Sequence, residues 1–261
     1  MTILDEIAEY AKKRVALAKE SVSAEEMKRL AKESERGDFL FEKALAKPEL
    51  SFILECKKAS PSKGVIAEDY PYLSIAKEYD EAGCDAISVL TEPKWFLGNS
   101  DHLREIAKSV SVPVLRKDFV VDEYMLYEAK VIGASAVLLI VSLLSKTQLQ
   151  EYIGICDELG LSALVEIHDG REAQTAVSAK ARVIGVNNRN LHDFSVDTNN
   201  AGSLRGLIPP GVLFVSESGV KEAGDIKNIV GFGADAVLIG ETMMRASDKK
   251  EALFELKGGL K

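Results

Sequence analysis

Cysteine is scarce in this chain. Only Cys56, Cys84 and Cys156 occur among 261 residues, and no two form a Cys-x-x-Cys pair. They read as small buried hydrophobes in a reducing cytosol, and a chain of this length builds a core that needs no disulfide staples. Histidine is as rare. His102, His168 and His192 have no metal-ligand spacing, so no metal site is expected. Positive charge is in deficit, with 33 Lys and Arg against 41 Asp and Glu and a net charge of −8. That balance argues against nucleic acid as a partner. An anionic small molecule can bind only where a local cluster of Lys, Arg and backbone N–H groups overrides the global field. Long apolar runs are missing too. The most apolar stretch, residues 134–144, is too short to span a bilayer and contains Ser135 and Ser142. The first thirty residues are highly charged and lack an apolar h-region, so the expected location is cytoplasmic, with no membrane partner. Finally, no glycine-rich phosphate loop follows the first strand. Gly231-Phe-Gly-Ala-Asp-Ala236 loosely matches a dinucleotide fingerprint, but it precedes a strand and fails that motif's context.

What the chain does have is repetition. Eight short apolar runs recur, at residues 51–56, 86–90, 112–115, 136–141, 162–165, 183–186, 212–215 and 236–239. Each is nearly continuous in Val, Ile, Leu and Ala, as for parallel strands buried on both faces. Amphipathic segments alternate with them, including 74–82, 122–132 and 145–159, the last opened by the capping box Ser145-Lys-Thr-Gln148. Gly83-Cys-Asp-Ala-Ile87, Gly133-Ala-Ser-Ala-Val137 and Gly233-Ala-Asp-Ala-Val237 share one joint, and Leu159-Gly-Leu-Ser-Ala163 is a looser copy. A glycine closes the helix in a left-handed conformation, a small residue follows, and a buried strand begins. A (βα) joint used this often predicts a (β/α)8 TIM barrel with an N-terminal helical extension, one domain over residues 1–261. An open doubly wound sheet is the weaker alternative.

Residues 1–47 form that extension. Ile3, Leu4, Ile7, Ala8 and Ala11 share a helical face, and Ser23-Ala-Glu-Glu26 reads as a capping box opening a second helix. Composition alone allows a lid or a bottom plug; with Phe39 and Phe41 near its end, the segment is expected to pack across the C-terminal mouth of the strands. Its deletion should then raise KM more than it lowers stability.

A parallel barrel carries its chemistry at the C-terminal strand ends. Just past the apolar runs stand Lys57, Lys117, Glu166, Asn187, Glu217 and Gly240. Glu55 and Lys57 share a strand face with Ile53. Their apolar flanks favour a site over a solvated surface pair. The polar turn Ala59-Ser-Pro-Ser-Lys-Gly64 follows. Lys117 shares a face with Leu115 and is open to several readings: surface charge, ion pair to Asp118, phosphate contact, general acid or Schiff-base nucleophile. Glu166 is a base or the counter-charge of Lys117. His168 has the same parity but lies further into the loop, and no direct chemistry is assigned to it. His102 and His192 sit in polar loops. Asn187 and Arg189 share a face with Gly185, and arginine suits a carboxylate or phosphate. Ser216-Glu-Ser-Gly219 and Gly240-Glu-Thr242 end the last two strands as a phosphate cradle does.

Glu55-Cys-Lys-Lys-Ala-Ser-Pro-Ser62, Leu115-Arg-Lys-Asp-Phe119, Val165-Glu-Ile-His168, Gly185-Val-Asn-Asn-Arg-Asn-Leu191 and Ser216-Glu-Ser-Gly219 stand in one order over essentially the whole chain. In this the sequence resembles the indole-3-glycerol-phosphate synthases. The resemblance implies closure of 1-(2-carboxyphenylamino)-1-deoxyribulose 5-phosphate to indole-3-glycerol phosphate, with loss of carbon dioxide and water, and no cofactor. It implies Lys117 as general acid, Glu166 and Asn187 supporting the site and intermediate, and Lys57 with Glu55 in binding and the later dehydration. Glu217 joins that polar ring. Ser218, Gly219, Gly240 and Glu241 would bind phosphate, while Ser60 and Arg189 hold polar substrate groups. Glu241 departs from the Ser or Thr frequent there, so only its backbone is expected to serve and its side chain should point away. Leu90, Phe96, Phe119 and Leu191 are candidates for the aryl slot. The implied partner is a phosphorylated small molecule. The implied state is a monomer, with room for contacts to other tryptophan-pathway enzymes. Two rivals stand beside this reading: a Schiff-base aldolase on the same barrel, using Lys57 or Lys117, and a non-catalytic phosphate-binding or partner-binding barrel.

Overall fold

Three helices precede the first strand: α1 (Ile3–Ser21), α2 (Ala24–Glu33) and α3 (Leu40–Leu45). Eight parallel strands then close into a cylinder: β1 (Ser51–Cys56), β2 (Ala86–Leu90), β3 (Val114–Lys117), β4 (Ala136–Ile140), β5 (Ser162–Ile167), β6 (Val183–Asn187), β7 (Leu213–Glu217) and β8 (Ala236–Ile239). Closure is made by β1, whose Ser51 pairs with Ala236 and whose Glu55 pairs with Ser88. The outer ring is α4 (Tyr72–Ala82), α5 (Ser100–Ala107), α6 (Tyr124–Val131), α7 (Lys146–Leu159), α8 (Gly170–Ser178), α9 (Asn199–Leu204), α10 (Ala223–Gly231), α11 (Glu241–Arg245) and α12 (Lys249–Lys257). This is the (β/α)8 barrel expected. The computed structural model describes residues 2–190 and 194–258; Leu191 and His192 lie outside them.

The joints behave as their composition requires. Gly83, Gly133, Gly160 and Gly233 all take positive φ, between 67° and 91°, where an L side chain would be strained. At α7, Ser145 and Gln148 form both halves of the capping box. At α2 only half is made. Ser23 accepts from the Glu26 N–H, whereas the Glu26 carboxylate is held by Arg29 at 2.7 Å instead of returning to Ser23.

Strand ends differ from the sequence expectation. β3 starts at Val114, because Pro113 has no N–H to give the ladder and offers only its carbonyl, to Ile87. Lys117, Glu166, Asn187 and Glu217 lie inside the strands, not past them. Leu90 pairs with Lys117 and Asn187 with Glu217. Their polar side chains end the apolar pattern but not the hydrogen-bonded backbone. β4 stops one residue early, as Val141 begins a 3-10 turn.

The extension does not lie across the mouth as one body. α1 does reach the C-terminal rim. Arg14 donates twice to Asp118, at 2.7 and 3.1 Å, Lys19 pairs with Asp122 at 2.8 Å, and Tyr10 meets Trp95 edge-on. α2 packs against α6 on the outer wall. α3 sits at the opposite pole, which corrects the placement of Phe41. Phe41 and Leu45, both fully buried, join Ile53, Ala86, Leu115 and Leu164 in the barrel interior. The polar contacts of α3 are to strand beginnings: the Glu42 N–H donates to Ser162 Oγ and Ser51 Oγ to the Ala44 carbonyl. Phe39 stays outside, between the guanidinium groups of Arg36 and Arg182. No described helix is long and apolar enough to cross a membrane.

Candidate active site

Strand parity places the polar ring. Inward positions alternate along each strand, so the residues two beyond Ile53, Leu115, Leu164 and Val215 are Glu55, Lys117, Glu166 and Glu217. They meet at the floor of a cavity of about 760 Å3 at the C-terminal mouth. Lys117 Nζ donates to Glu217 Oε2 at 2.7 Å and to Glu166 Oε2 at 3.1 Å. The other oxygen of Glu166 accepts from Asn187 Nδ2 at 3.3 Å and faces His168 Nε2 at 3.4 Å. Glu55 and Lys57 form a second, adjacent pair. Asp118 is not a partner of Lys117. As the next residue along, it points to the other side and binds Arg14 and Thr91, with Arg116 at 3.6 Å.

These groups set one another's protonation. Burial opposes the Lys117 charge, but the fields of Glu217, Glu166 and Glu55 outweigh it and raise its pKa. Burial also opposes ionisation of Glu166, yet Lys117 and His168 hold it well below the usual carboxylate range. Glu217 goes the other way and is pushed up to about 7, by burial and by repulsion from Glu166 and Glu55, against the pull of Lys117. His168 is likewise disfavoured as a cation by burial, but Glu166 and Glu172 raise it to about 10. Glu166 and Glu217 thus share one ammonium, and of the two it is Glu217 that ionises last.

Around this ring stand the remaining candidates. Ser60 is buried in a small hairpin, Ala59–Ser60 against Gly64–Val65, that borders the cavity. Arg189 also lines the cavity, and its Nη1 donates to the Phe194 carbonyl at 3.1 Å. Ser218 has φ 69°, and its hydroxyl donates to Asn187 Oδ1 at 3.0 Å. Gly219 has φ 101°, and a methyl there would sit 2.7 Å from Thr198 Cγ2. At Gly240 a methyl would lie against Glu55 Oε1 and 2.8 Å from Lys57 Nζ, so this glycine makes room for the Glu55–Lys57 ion pair. The Glu241 side chain does not point away. It lines the cavity, accepts from Arg245 at 3.0 Å and lies 3.6 Å from Lys63, because those two cations attract it. Leu90, Phe96 and Phe119 supply apolar wall, joined by Ile3, Leu4 and Ile7 of α1.

Three contributors escape a reading of the sequence. His168 lies a step into the loop, yet Glu172, four residues on, accepts its backbone N–H and faces its Nδ1 at 3.1 Å, turning the ring back to Glu166. The i, i+4 spacing is the available signal. Asn188, buried, donates to Ser216 Oγ and the Ser218 carbonyl and accepts from the Ala201 N–H, which fixes the β7 loop. Gly185 is the third: its missing side chain leaves space for Glu217. Among the described residues, no group of three or more His, Cys, Asp or Glu is placed to hold a metal ion.

Acid–base chemistry at the open end of a (β/α)8 barrel is the class of enzyme that this arrangement defines. The family model for indole-3-glycerol phosphate synthase matches residues 4–256, and the chain belongs to that family. It is 53% identical over 257 residues to an indole-3-glycerol phosphate synthase of Ruminiclostridium cellulolyticum, covering 98% of this chain and 99% of the relative. To that of Endomicrobium trichonymphae it is 49% identical over 256 residues, with 98% and 99% covered. Among solved structures, a 3-hexulose-6-phosphate synthase superposes with TM-score 0.66 at 16% identity, covering 80% of this chain and 99% of that one. Orotidine 5'-phosphate decarboxylase from Pyrococcus horikoshii OT3 gives 0.60, also at 16% identity, with 80% and 99% covered. At such identity these two speak for the fold alone.

Proposed function

We propose that this cavity closes 1-(2-carboxyphenylamino)-1-deoxyribulose 5-phosphate to indole-3-glycerol phosphate, releasing carbon dioxide and water, as a carboxy-lyase of tryptophan biosynthesis. The observation that carries the reading is the Lys117 ammonium, held between Glu166 and Glu217 and facing a cavity that also contains Gly219 and Gly240. The ring nitrogen makes the carboxylate-bearing aryl carbon electron-rich. That carbon attacks the ribulose carbonyl while Lys117 gives its proton to the carbonyl oxygen. The bond to the carboxylate then breaks, its electron pair restores the aromatic ring, and carbon dioxide departs. Loss of the new hydroxyl together with a proton from the methylene carbon beside the nitrogen, as water, completes the pyrrole, which keeps its N–H. No redox or electron-sink cofactor is needed for this electron flow.

Glu166, fixed by Asn187 and His168, supports the charged intermediate, and Glu217 completes the ring. The Glu55–Lys57 pair is assigned to binding and the dehydration. Backbone N–H groups of Ser218, Gly219, Gly240 and Glu241 receive the phosphate, Ser60 and Arg189 hold polar substrate groups, and the Leu90, Phe96 and Phe119 wall takes the aryl ring. All of these come from one chain, which supports a monomer as the working unit.

A Schiff-base aldolase needs a free amine, whereas the surroundings of Lys117 favour the ammonium. The test is an indole-absorbance assay with the aryl-ribulose phosphate, run beside borohydride treatment with a phosphosugar. Product without a covalent adduct is expected. A trapped adduct and no indole product would overturn the proposal.

A further inference from the structure

The rim beside β1 and β8 carries charges that the ring closure leaves unused. Lys63 lies in the turn of the Ala59–Ser60/Gly64–Val65 hairpin, and Glu241 and Arg245 are one turn apart on α11. Glu241 spans the gap between them. Its Oε1 accepts from Arg245 Nε at 3.0 Å and its Oε2 stands 3.6 Å from Lys63 Nζ. All three line the cavity beside Gly219 and Gly240. Burial pushes the Glu241 carboxyl up, but Arg245 and Lys63 outweigh it, so the group is ionised.

An anion at this place opposes a second anion. A phosphate that enters beside a fixed Glu241 meets repulsion and finds both nearby cations taken. If the carboxylate yields, the same phosphate gains two cations at once. Both ion pairs are half-open to solvent, with side-chain exposures of 46% for Lys63, 33% for Glu241 and 53% for Arg245, so little is lost by exchanging them. Lys63 is also the one of the three carried on a hairpin of two-residue strands, exposed from Lys63 to Val65.

We propose that Glu241 stands in for the substrate phosphate until substrate binds, and that the arriving phosphate exchanges with it, taking Lys63 and Arg245 as its cations. The exchange draws the Lys63 hairpin onto bound substrate. It also selects for phosphate: a singly charged carboxylate gains little by replacing another carboxylate, whereas a dianion gains from both cations. This inference rests on the assignment of the Gly219 and Gly240 loops as the phosphate end.

A double-mutant cycle with inorganic phosphate as the probe tests it. Binding is measured for the wild type, Glu241→Gln, Lys63→Met and the double variant, and again with Arg245→Met in place of Lys63→Met. Glu241→Gln should tighten phosphate binding. Each cation substitution should weaken binding about two- to fivefold more in the Glu241→Gln background than in the wild type, the range of an exposed ion pair, because only there does the cation come free of a prior partner. Additive effects, or weaker binding by Glu241→Gln, would overturn the exchange while leaving the phosphate site standing. Phosphate binding unaffected by Gly219→Val would instead remove the phosphate-end assignment, and the exchange with it.

Discussion

Gly185 and Glu217 compete for one volume: a methyl group at Gly185 would stand 2.1 Å from Glu217 Oε1. The two residues lie on adjacent strands, where Asn187, two beyond Gly185, pairs with Glu217. The carboxylate therefore folds over bare backbone on its way to Lys117. Gly185→Ala should displace it from the ammonium. We expect a loss in kcat of about ten- to a hundredfold, a share of the ~10²–10⁴ that acid–base groups contribute, and an overpacking cost of about 1–3 kcal/mol. Shortening the acid in the same chain, with Glu217→Asp, should restore stability. Steady-state kinetics and urea denaturation check both parts, and a Gly185→Ala enzyme with full kcat would remove the spacer role.

Lys117 is the cation on which the two acids depend. Lys117→Met should lower kcat by about 10²–10⁴ in a protein that still folds. It also leaves Glu166 and Glu217 facing each other without their ammonium, so both carboxyl pKa values rise. A carboxyl raised above its unfolded value favours folding at low pH and loses that contribution as pH rises. Relative to wild type, the variant should thus be less destabilised at pH 5 than at pH 8. Denaturant midpoints at the two pH values decide this, and equal losses would mean that the ammonium does not control the acids.

Much of this site is legible in the sequence. The strands can be read because buried parallel strands are written as continuous apolar runs, and the joints at Gly83, Gly133 and Gly233 because a left-handed helix end demands glycine. Parity alone carries Glu55, Lys117, Glu166 and Glu217 to one lumen. What cannot be read are choices made by tertiary partners. Asp118 follows Lys117 and could pair with it, but Arg14, over a hundred residues away in sequence, holds it on the other side. His168 looks too far into the loop until Glu172 turns its ring. The expectation that Glu241 faces away fails because its cations, Lys63 and Arg245, are not apparent from the Gly240-Glu-Thr242 motif. By composition the extension could be a lid or a plug, and only the contacts of Phe41 and Leu45 with Ile53 and Leu164 decide for its last helix.

His168 also gives the protein a pH signature. Its folded pKa, about 10, exceeds the ordinary imidazole value of 6.5, since Glu166 and Glu172 overcome its burial. A group raised in this way contributes stability that is fully present below about pH 6.5 and is lost as pH rises towards 10. The raised carboxyl of Glu217 acts in the same direction but in a lower window, from its ordinary 4.5 up to about 7. The difference between wild type and His168→Gln therefore isolates the imidazole above pH 7. We expect the advantage of the wild type to shrink steadily from pH 7 to pH 10. An NMR titration of His168 with an ordinary midpoint, or a constant difference in stability, would contradict this.

The divided extension makes the last prediction. Deleting residues 1–47 removes two devices at once, since α1 borders the cavity and α3 fills the barrel bottom. Point substitutions separate them. Phe41 is fully buried among Leu45, Ile53 and Leu164, and Phe41→Ala should cost about 3–5 kcal/mol while each folded molecule keeps its KM. Leu4 and Ile7 line the mouth. Ile7 is 2% exposed, so truncating it also costs stability, and Leu4→Ser is the cleaner probe. It should raise KM with a small loss in stability, because it removes apolar wall from the substrate side and leaves the α3 plug intact. Thermal denaturation and KM measured on the two variants give opposite patterns if the extension is split between the poles. A Phe41→Ala enzyme that loses substrate affinity at full stability would return α3 to the mouth.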